Sequence, residues 1–195
     1  MLLPIESSDD ILTKRACEGD RAALDQLLRR HYDRIHTICL RIAGNPADAA
    51  DACQEALLAV VRGLPRFDGR SAFSTWSYRV ATNACLDEMR RKNRRPRPVE
   101  EVHETGPARD DRPVGDLVAD RMTVDAALAE LPDIFRWPVV LRDMVGMDYA
   151  EIGAALDLPP GTVRSRIARG RRHLADRLDD GREPDGMPGT SERTS

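Results

Sequence analysis

Apolar residues at Leu24, Leu27, Leu28, Ile35, Ile38 and Ile42 recur close to every 3.6 positions, the period of a helix with one buried face. Asn45-Pro46 breaks that stripe, and Asp48 stands where an N-cap would serve the next helix. A second stripe follows at Ala49, Cys53, Ala56, Leu57, Val60, Val61 and Leu64, with Gly63 and Pro65 as its stop. Phe67-Asp68-Gly69-Arg70-Ser71 has turn chemistry. A third helix is predicted from near Ser71, with Phe73, Trp76, Val80 and Ala84 on one face. A shorter helix is expected ahead of all three, around Asp9 to Glu18.

The pattern then stops. Arg94 to Val118 contains Pro96, Pro98, Pro107 and Pro113, many charges and little apolar periodicity, so residues 94–117 are expected to form a flexible linker. Helical periodicity resumes at Met122 to Leu131, which Pro132 stops, and again at Ile134 to Val145, with Pro138 expected in the first turn. Two more helices are predicted, Tyr149 to Leu156 and Pro160 to Leu178. Residues 179–195 are rich in Gly, Pro, Ser and Asp, the composition of a disordered tail. The expected fold is all-α: two small helical domains, 9–93 and 118–178, on either side of the linker.

Composition sharpens this picture. Aromatics make up only 4% of the 195 residues, which suits small helical domains better than a sandwich or barrel. The formal net charge is -3, and the tail alone carries that value, because the two helical segments carry +1 and 0 and the linker -1. Within the neutral segments the charge is polarised. Met89 to Arg97 holds six basic residues and no acid, and Arg164 to Arg177 holds six arginines against Asp176. Two basic patches on a near-neutral chain point to polyanion contact at two places, against the plainer reading of solvated helix ends. No stretch approaches the roughly 20 apolar residues of a membrane span. Met1 to Asp10 has no basic run followed by an apolar one, so no membrane insertion and a cytoplasmic location are expected.

The second domain carries the sharper motif. Tyr149 to Leu156 places Ile152 and Leu156 inward, and Asp157-Leu158-Pro159 makes a tight connector. The next helix opens at Pro160-Gly161-Thr162, with Thr162 as its cap and Val163 and Ile167 inward. Arg164, Ser165, Arg166 and Arg169 are then outward, the grammar of a helix-turn-helix whose second helix reaches base edges and phosphates. In the first domain, Phe67 to Phe73 and Asn83 are candidates for contact with unpaired bases. Phe73 and Trp76 themselves are expected to be mostly core.

Enzymatic chemistry finds no footing. His31 and His36 form no HExxH and are expected to be solvated or half-buried. Glu100, Glu101 and Glu104 read as solvated linker charges, and there is no Gly-rich phosphate loop. The four cysteines, Cys17, Cys39, Cys53 and Cys85, contain no CxxC pair, so neither a zinc ribbon nor a disulfide framework is supported. Small buried cysteines are ordinary, which outweighs a redox switch. No cofactor, metal, catalytic residue or small-molecule substrate is expected.

Two blocks of the chain resemble a known family. Asp48-Ala-Ala-Asp-Ala-Cys-Gln-Glu-Ala56, Phe67-Asp-Gly-Arg-Ser-Ala-Phe-Ser-Thr-Trp76 and Tyr78-Arg-Val-Ala-Thr-Asn-Ala-Cys-Leu-Asp87 resemble region 2 of the extracytoplasmic-function (ECF) sigma factors of the sigma-70 family. Leu131-Pro132, Val139-Val-Leu-Arg-Asp143, Gly146-Met-Asp-Tyr-Ala-Glu-Ile152 and Gly161-Thr-Val-Arg-Ser-Arg-Ile167 resemble region 4. The resemblance covers roughly residues 9 to 178, with the blocks in the family's order. It implies a protein that binds core RNA polymerase and directs it to a subset of promoters. Asp51, Gln54, Glu55 and Leu58 would dock on the polymerase. Phe67, Asp68, Gly69, Arg70, Ser71 and Phe73 would capture a flipped base of the minus-ten element with Asn83 nearby, and Arg90 and Arg91 would contact the DNA backbone. Thr162, Arg164, Ser165, Arg166 and Arg169 would read the minus-thirty-five element. The linker would thread toward the RNA exit path. An anti-sigma factor is an expected partner on the same ground. Cys53 and Ala52 depart from the larger apolar residues frequent in the family, and the acidic tail lies beyond its pattern. The alternative is an autonomous helix-turn-helix regulator whose first domain senses a ligand or dimerises.

Overall fold

The computed structural model describes residues 8–94 and 124–180, and every regular element among them is helical. The first unit contains α1 (Ser8–Cys17), α2 (Arg21–Ala43), α3 (Pro46–Gly63), a 3-10 turn at Leu64–Arg66, and α4 (Phe73–Arg94). The second contains α5 (124–130), α6 (Asp133–Asp143), α7 (Tyr149–Leu156) and α8 (Pro160–Asp180).

Local chemistry sets the boundaries. Asp20 caps α2, its carboxylate accepting from the Ala22 and Ala23 N–H groups at 2.9 and 3.1 Å. Gly44 ends α2 in the left-handed region at φ +79°, its N–H reaching the Leu40 carbonyl at 2.8 Å. Helix α3 begins at Pro46, two residues before the expected cap. Asn45 is the cap, accepting from the Asp48 N–H at 2.9 Å, and Pro46 fills the first position, where no N–H is needed. Asp48 therefore lies within the first turn, where a carboxylate still favours the helix dipole.

Leu27, Ile35, Ile38 and Ile42 of α2 are fully buried against Ala49, Ala52, Ala56 and Val60 of α3. The alanines leave α3 free to pack closely, so Ala52 and Cys53 fill positions that need no larger side chain. The buried face of α4 is rotated from the predicted one: Phe73, Ser77, Ala81, Cys85 and Leu86 are inside, while Trp76, Val80 and Ala84 are half-buried at its flank. Ser77 tolerates burial because its hydroxyl bonds the Ser74 carbonyl at 3.1 Å. The stripe of α2 has a polar member that periodicity did not include. His31 is buried rather than solvated, with Nδ1 3.0 Å from the Tyr78 hydroxyl and Nε2 2.9 Å from the Asp9 carboxylate. It ties α1, α2 and α4 together. His36 is half-buried and stacks on Tyr32.

In the second unit, Val139, Val140 and Leu141 of α6 pack on Ile152, Val163 and Ile167. Pro138 is inside α6, beyond its first turn. The missing N–H would have served the carbonyl of Ile134, a residue that is 52% exposed. The helices α6 and α8 touch closely at Gly170, where a Cβ would lie 2.7 Å from the Val139 side chain.

The two units are docked on each other, which the sequence pattern did not foresee. Arg136 of α6 is 6% exposed and donates to the carbonyls of Ala43 and Ala129 and to the Asp133 carboxylate. Trp137 donates its indole N–H to the Ile42 carbonyl at 3.0 Å. The last carbonyls of α2, orphaned by the helix end, are thus satisfied by side chains from α6. Further bonds join Arg34 to the Met144 carbonyl, Arg41 to Asp125, Arg79 to Glu151 and Arg90 to the Ala155 carbonyl. The expected linker beyond Arg94, the start of the second domain at 118–123 and the tail beyond Asp180 lie outside the described residues; Asp179 and Asp180, expected in the tail, belong to α8.

Candidate nucleic-acid interface

The helix-turn-helix is built from its caps inward. Asp148 and Glu151 form a capping box around the start of α7, the Asp148 carboxylate accepting from Ala150 and Glu151 N–H at 2.8 Å while Glu151 accepts from the Asp148 N–H at 2.8 Å. Asp157 ends α7 in the left-handed conformation at φ +56°, and the Leu158 N–H returns to the Gly153 carbonyl at 2.9 Å. A Cβ at Gly153 would stand 2.7 Å from the Leu158 carbonyl oxygen, so the turn needs glycine there.

Helix α8 begins at Pro160, so Thr162 is inside its first turn rather than its cap. The Thr162 N–H bonds the Pro159 carbonyl at 2.9 Å, and its own carbonyl accepts from the Ser165 hydroxyl at 2.9 Å. Val163 and Ile167 are buried against Ile152. Their burial turns Arg164, Ser165 and Arg169 outward, all exposed, with Arg166 half-buried. The Arg164 guanidinium lies 5.5 Å from the centre of the Tyr149 ring, and Arg142 lies 5.1 Å from it. Tyr149 therefore steadies the cation at the head of the basic face.

In the first unit, the loop before α4 is pinned at both ends. Phe67, Phe73 and Trp76 form an aromatic cluster with ring centres 5.1 to 6.3 Å apart. Phe73 is 2% exposed, so it is a floor and not a free stacking platform. The Asp68 carboxylate accepts from the Arg70 N–H at 3.1 Å and pairs with the Arg70 guanidinium, and Gly69 takes φ +72° between them. Phe67, Asp68, Gly69, Ser71 and Phe73 line a cavity of about 370 Å³. Its other wall belongs to α1, which sequence reasoning did not assign to the site. The signal was available, since the wall residues recur at helical spacing.

Asn83 is exposed but does not line this cavity. It lies ten residues beyond Phe73 on α4, about 15 Å along the axis. Arg91 is exposed and paired with Glu88, whereas Arg90 is engaged by the second unit through its 2.5 Å bond to Ala155. On α3, Asp51 and Gln54 are exposed, Glu55 is half-buried and Leu58 is 38% exposed, all on one outward face. Lys92 bonds Asp48 at 2.8 Å and Asp51 at 2.9 Å, and the bond to Asp48 first and burial against it leave the ammonium above its ordinary range.

Cys39, Cys53 and Cys85 are buried and Cys17 is exposed, and all four are free thiols. The hydrogen bond to Cys39, then burial, push the Cys53 thiol far up, so it stays protonated and unreactive. No group of acidic, histidine or cysteine side chains among the described residues is arranged to hold a metal ion, and no described helix is long and apolar enough to cross a membrane.

Residues 27–95 match the family description "Sigma-70 region 2", and residues 121–174 match "Sigma-70, region 4". The chain is 42% identical over 166 residues to the ECF RNA polymerase sigma factor SigE of Mycolicibacterium smegmatis, covering 82% of this chain and 64% of that one. It is 39% identical to SigM of Mycobacterium tuberculosis, covering 87% of this chain and 84% of that one, and 32% identical to the sigma-E factor of Escherichia coli, covering 88% and 94%. Among solved structures, CnrH in complex with the cytosolic domain of CnrY superposes with TM-score 0.55 at 25% identity, covering 88% of this chain and 97% of that one. The sigma factor RpoE of Bartonella quintana, solved with the anti-sigma factor NepR, shares the fold with TM-score 0.58 at 22% identity, covering 81% and 98%.

Proposed function

The chain belongs to the ECF sigma factors of the sigma-70 family, and from that membership we propose how its surfaces divide the work of promoter-specific initiation. It acts as an alternative sigma factor that binds core RNA polymerase. Asp51, Gln54, Glu55 and Leu58 on the outward face of α3 dock on the polymerase. Phe67, Asp68, Gly69, Arg70, Ser71 and Phe73 receive an extruded base of the minus-ten element, whose unstacking costs a few kcal/mol that the cavity offsets. Asn83, Arg90 and Arg91 hold the neighbouring strand. Thr162, Arg164, Ser165, Arg166 and Arg169 read the minus-thirty-five element in the major groove. The two modest DNA sites reinforce each other once polymerase holds both. The reading also carries a cytoplasmic location and an anti-sigma factor as a further partner.

The observation that carries this division is the outward face of α8, where burial of Val163 and Ile167 forces Arg164, Ser165 and Arg169 into solvent on a helix-turn-helix. An autonomous regulator would need only that face, and would leave the exposed Leu58 face of α3 unused. Reconstitution with purified core polymerase separates the roles. Leu58→Glu is expected to abolish co-elution with core while Arg169→Ala leaves it intact. Normal co-elution of Leu58→Glu would remove α3 from the polymerase contact.

A further inference from the structure

The two units hold each other mainly by side chains of one capping helix ends of the other. Arg136 and Trp137 of α6 donate to the Ala43 and Ile42 carbonyls at the end of α2, at 3.3 and 3.0 Å. Arg34 of α2 donates at 2.9 Å to the carbonyl of Met144, the C-cap of α6. Arg90 of α4 donates to the Ala155 carbonyl in the last turn of α7. A helix C-terminus carries unpaired carbonyls and the negative end of the dipole, so each of these ends suits a guanidinium. Water can replace such donors at little net cost, which makes the docking reversible. What the docking covers is uneven. Arg79, Asn83 and Arg90 fall at i, i+4 and i+11 on one face of α4. Arg79 is tied to Glu151 and Arg90 to Ala155, both on α7. Asp51, Gln54 and Leu58 of α3 stay exposed, as do Arg164, Ser165 and Arg169 of α8.

We propose that this docking is an autoinhibitory latch with a narrow target: α7 masks the strand-holding face of α4, while the polymerase face of α3 and the reading face of α8 remain free. The inference rests on the assignment of Asn83 and Arg90 to the neighbouring strand, and it adds Arg79 to that face. The latched chain meets polymerase first. Opening then releases two guanidiniums, Arg79 and Arg90, for phosphates. Glu151 belongs both to the latch and to the helix-turn-helix. Its carboxylate accepts from the Asp148 N–H at 2.8 Å in the capping box and pairs with Arg79 at 2.7 Å. Release of Arg79 leaves the capping box in place, so α7 need not refold when the units part. Strand binding by the free chain is reduced to the fraction that stands open.

The test locks the latch in the full chain. Arg41 and Asp125 pair across the two units, so Arg41→Cys and Asp125→Cys can be joined by a short bismaleimide that a thiol reductant cleaves. Cys17→Ser removes the exposed native thiol, and the other three are buried. Templates are promoter fragments that the unaltered holoenzyme opens, and permanganate reactivity of thymines reports opening. The cross-linked chain is expected to co-elute with core polymerase, to lose promoter opening, and to regain it when reductant is added. Without the cross-link, Trp137→Phe and Arg34→Ala each remove one latch donor outside the DNA and polymerase faces. Each should tighten binding of the free chain to a fluorescent mixed-sequence single strand by about fivefold, the shift in the open fraction that one hydrogen bond is worth. Promoter opening by the cross-linked chain, its failure to co-elute with core, or unchanged strand binding in both variants would overturn the latch and leave the strand-holding face standing. Promoter opening indifferent to Asn83→Ala and Arg90→Ala together would remove that face and this inference with it.

Discussion

The guanidinium of Arg90 donates a 2.5 Å hydrogen bond to the carbonyl oxygen of Ala155. Arg90 lies four residues before the end of α4, the helix end proposed to meet the DNA backbone, and Ala155 lies in the first helix of the helix-turn-helix. The same guanidinium also pairs with Asp87, so in the docked arrangement few of its donors are left for a phosphate. Arg79 repeats the relationship with Glu151 at 2.7 Å. The docked arrangement therefore competes with DNA contact through Arg90. Dyes on Gln26→Cys and Ala175→Cys, in a Cys17→Ser background, should move apart when the protein binds core polymerase and a promoter. An unchanged distance in the open complex would show that the docked arrangement persists on DNA.

Gly44 and Arg136 define the strength of that docking. Gly44 has φ +79°, and a Cβ there would collide with the Arg136 guanidinium. Gly69 has φ +72° with nothing within 4 Å of its would-be Cβ. Both glycines suffer the left-handed penalty on substitution, about 1–2 kcal/mol, but only Gly44 adds a clash. Gly44→Ala should lower the melting temperature more than Gly69→Ala. Arg136→Ala in the Gly44→Ala background should recover part of the difference, since the two changes share one contact. Equal losses at the two glycines would show that the Arg136 contact contributes nothing.

Recognition of the minus-thirty-five element should depend on Arg164 and Arg169 in a sequence-selective way. Each change to alanine is expected to cost roughly 1–3 kcal/mol on the preferred promoter if the guanidinium bonds a base edge. Tyr149→Leu should reproduce a fraction of the Arg164 loss, because the ring under that guanidinium is gone. Equal losses on every promoter sequence would assign these arginines to phosphates.

The stripe on α3 and the helix-turn-helix were legible because their apolar positions keep helical period and their caps are local. The polar members of the core were not. His31 lies on the buried face of α2, and its partners Asp9 and Tyr78 are 22 and 47 residues away. Nothing in the local pattern announces such pairing. Arg136 reads as a surface cation in sequence, yet burial pulls its pKa down while Asp133 pulls it up, and it spends its donors on carbonyls of another unit. Asn45 displaced Asp48 as the α3 cap because Pro46 fits the first helical position, which moves the cap one residue ahead of it.

Acid should loosen the α1 wall before the rest of the fold. Burial raises the Asp9 pKa, but hydrogen bonds from Arg30 and His31 pull it further the other way, and the carboxyl ends below its ordinary value. A depressed carboxylate contributes stability above its unfolded pKa of about 3.9, and that contribution is lost as pH falls through the lower folded value. Amide exchange of α1 should accelerate below about pH 4 ahead of exchange in α2 and α3. Asp9→Asn should show fast α1 exchange already at neutral pH, with little further change on acidification. Identical acid profiles for the two proteins would mean that Asp9 does not hold the helix.

Transcription from genomic promoter fragments with purified core RNA polymerase, with and without this protein, tests the central claim most directly. The account predicts initiation at discrete start sites that appears only when the protein is added, and that Leu58→Glu and Arg164→Ala each weaken. Absence of initiation, together with tight binding of duplex DNA by the protein alone, would contradict it.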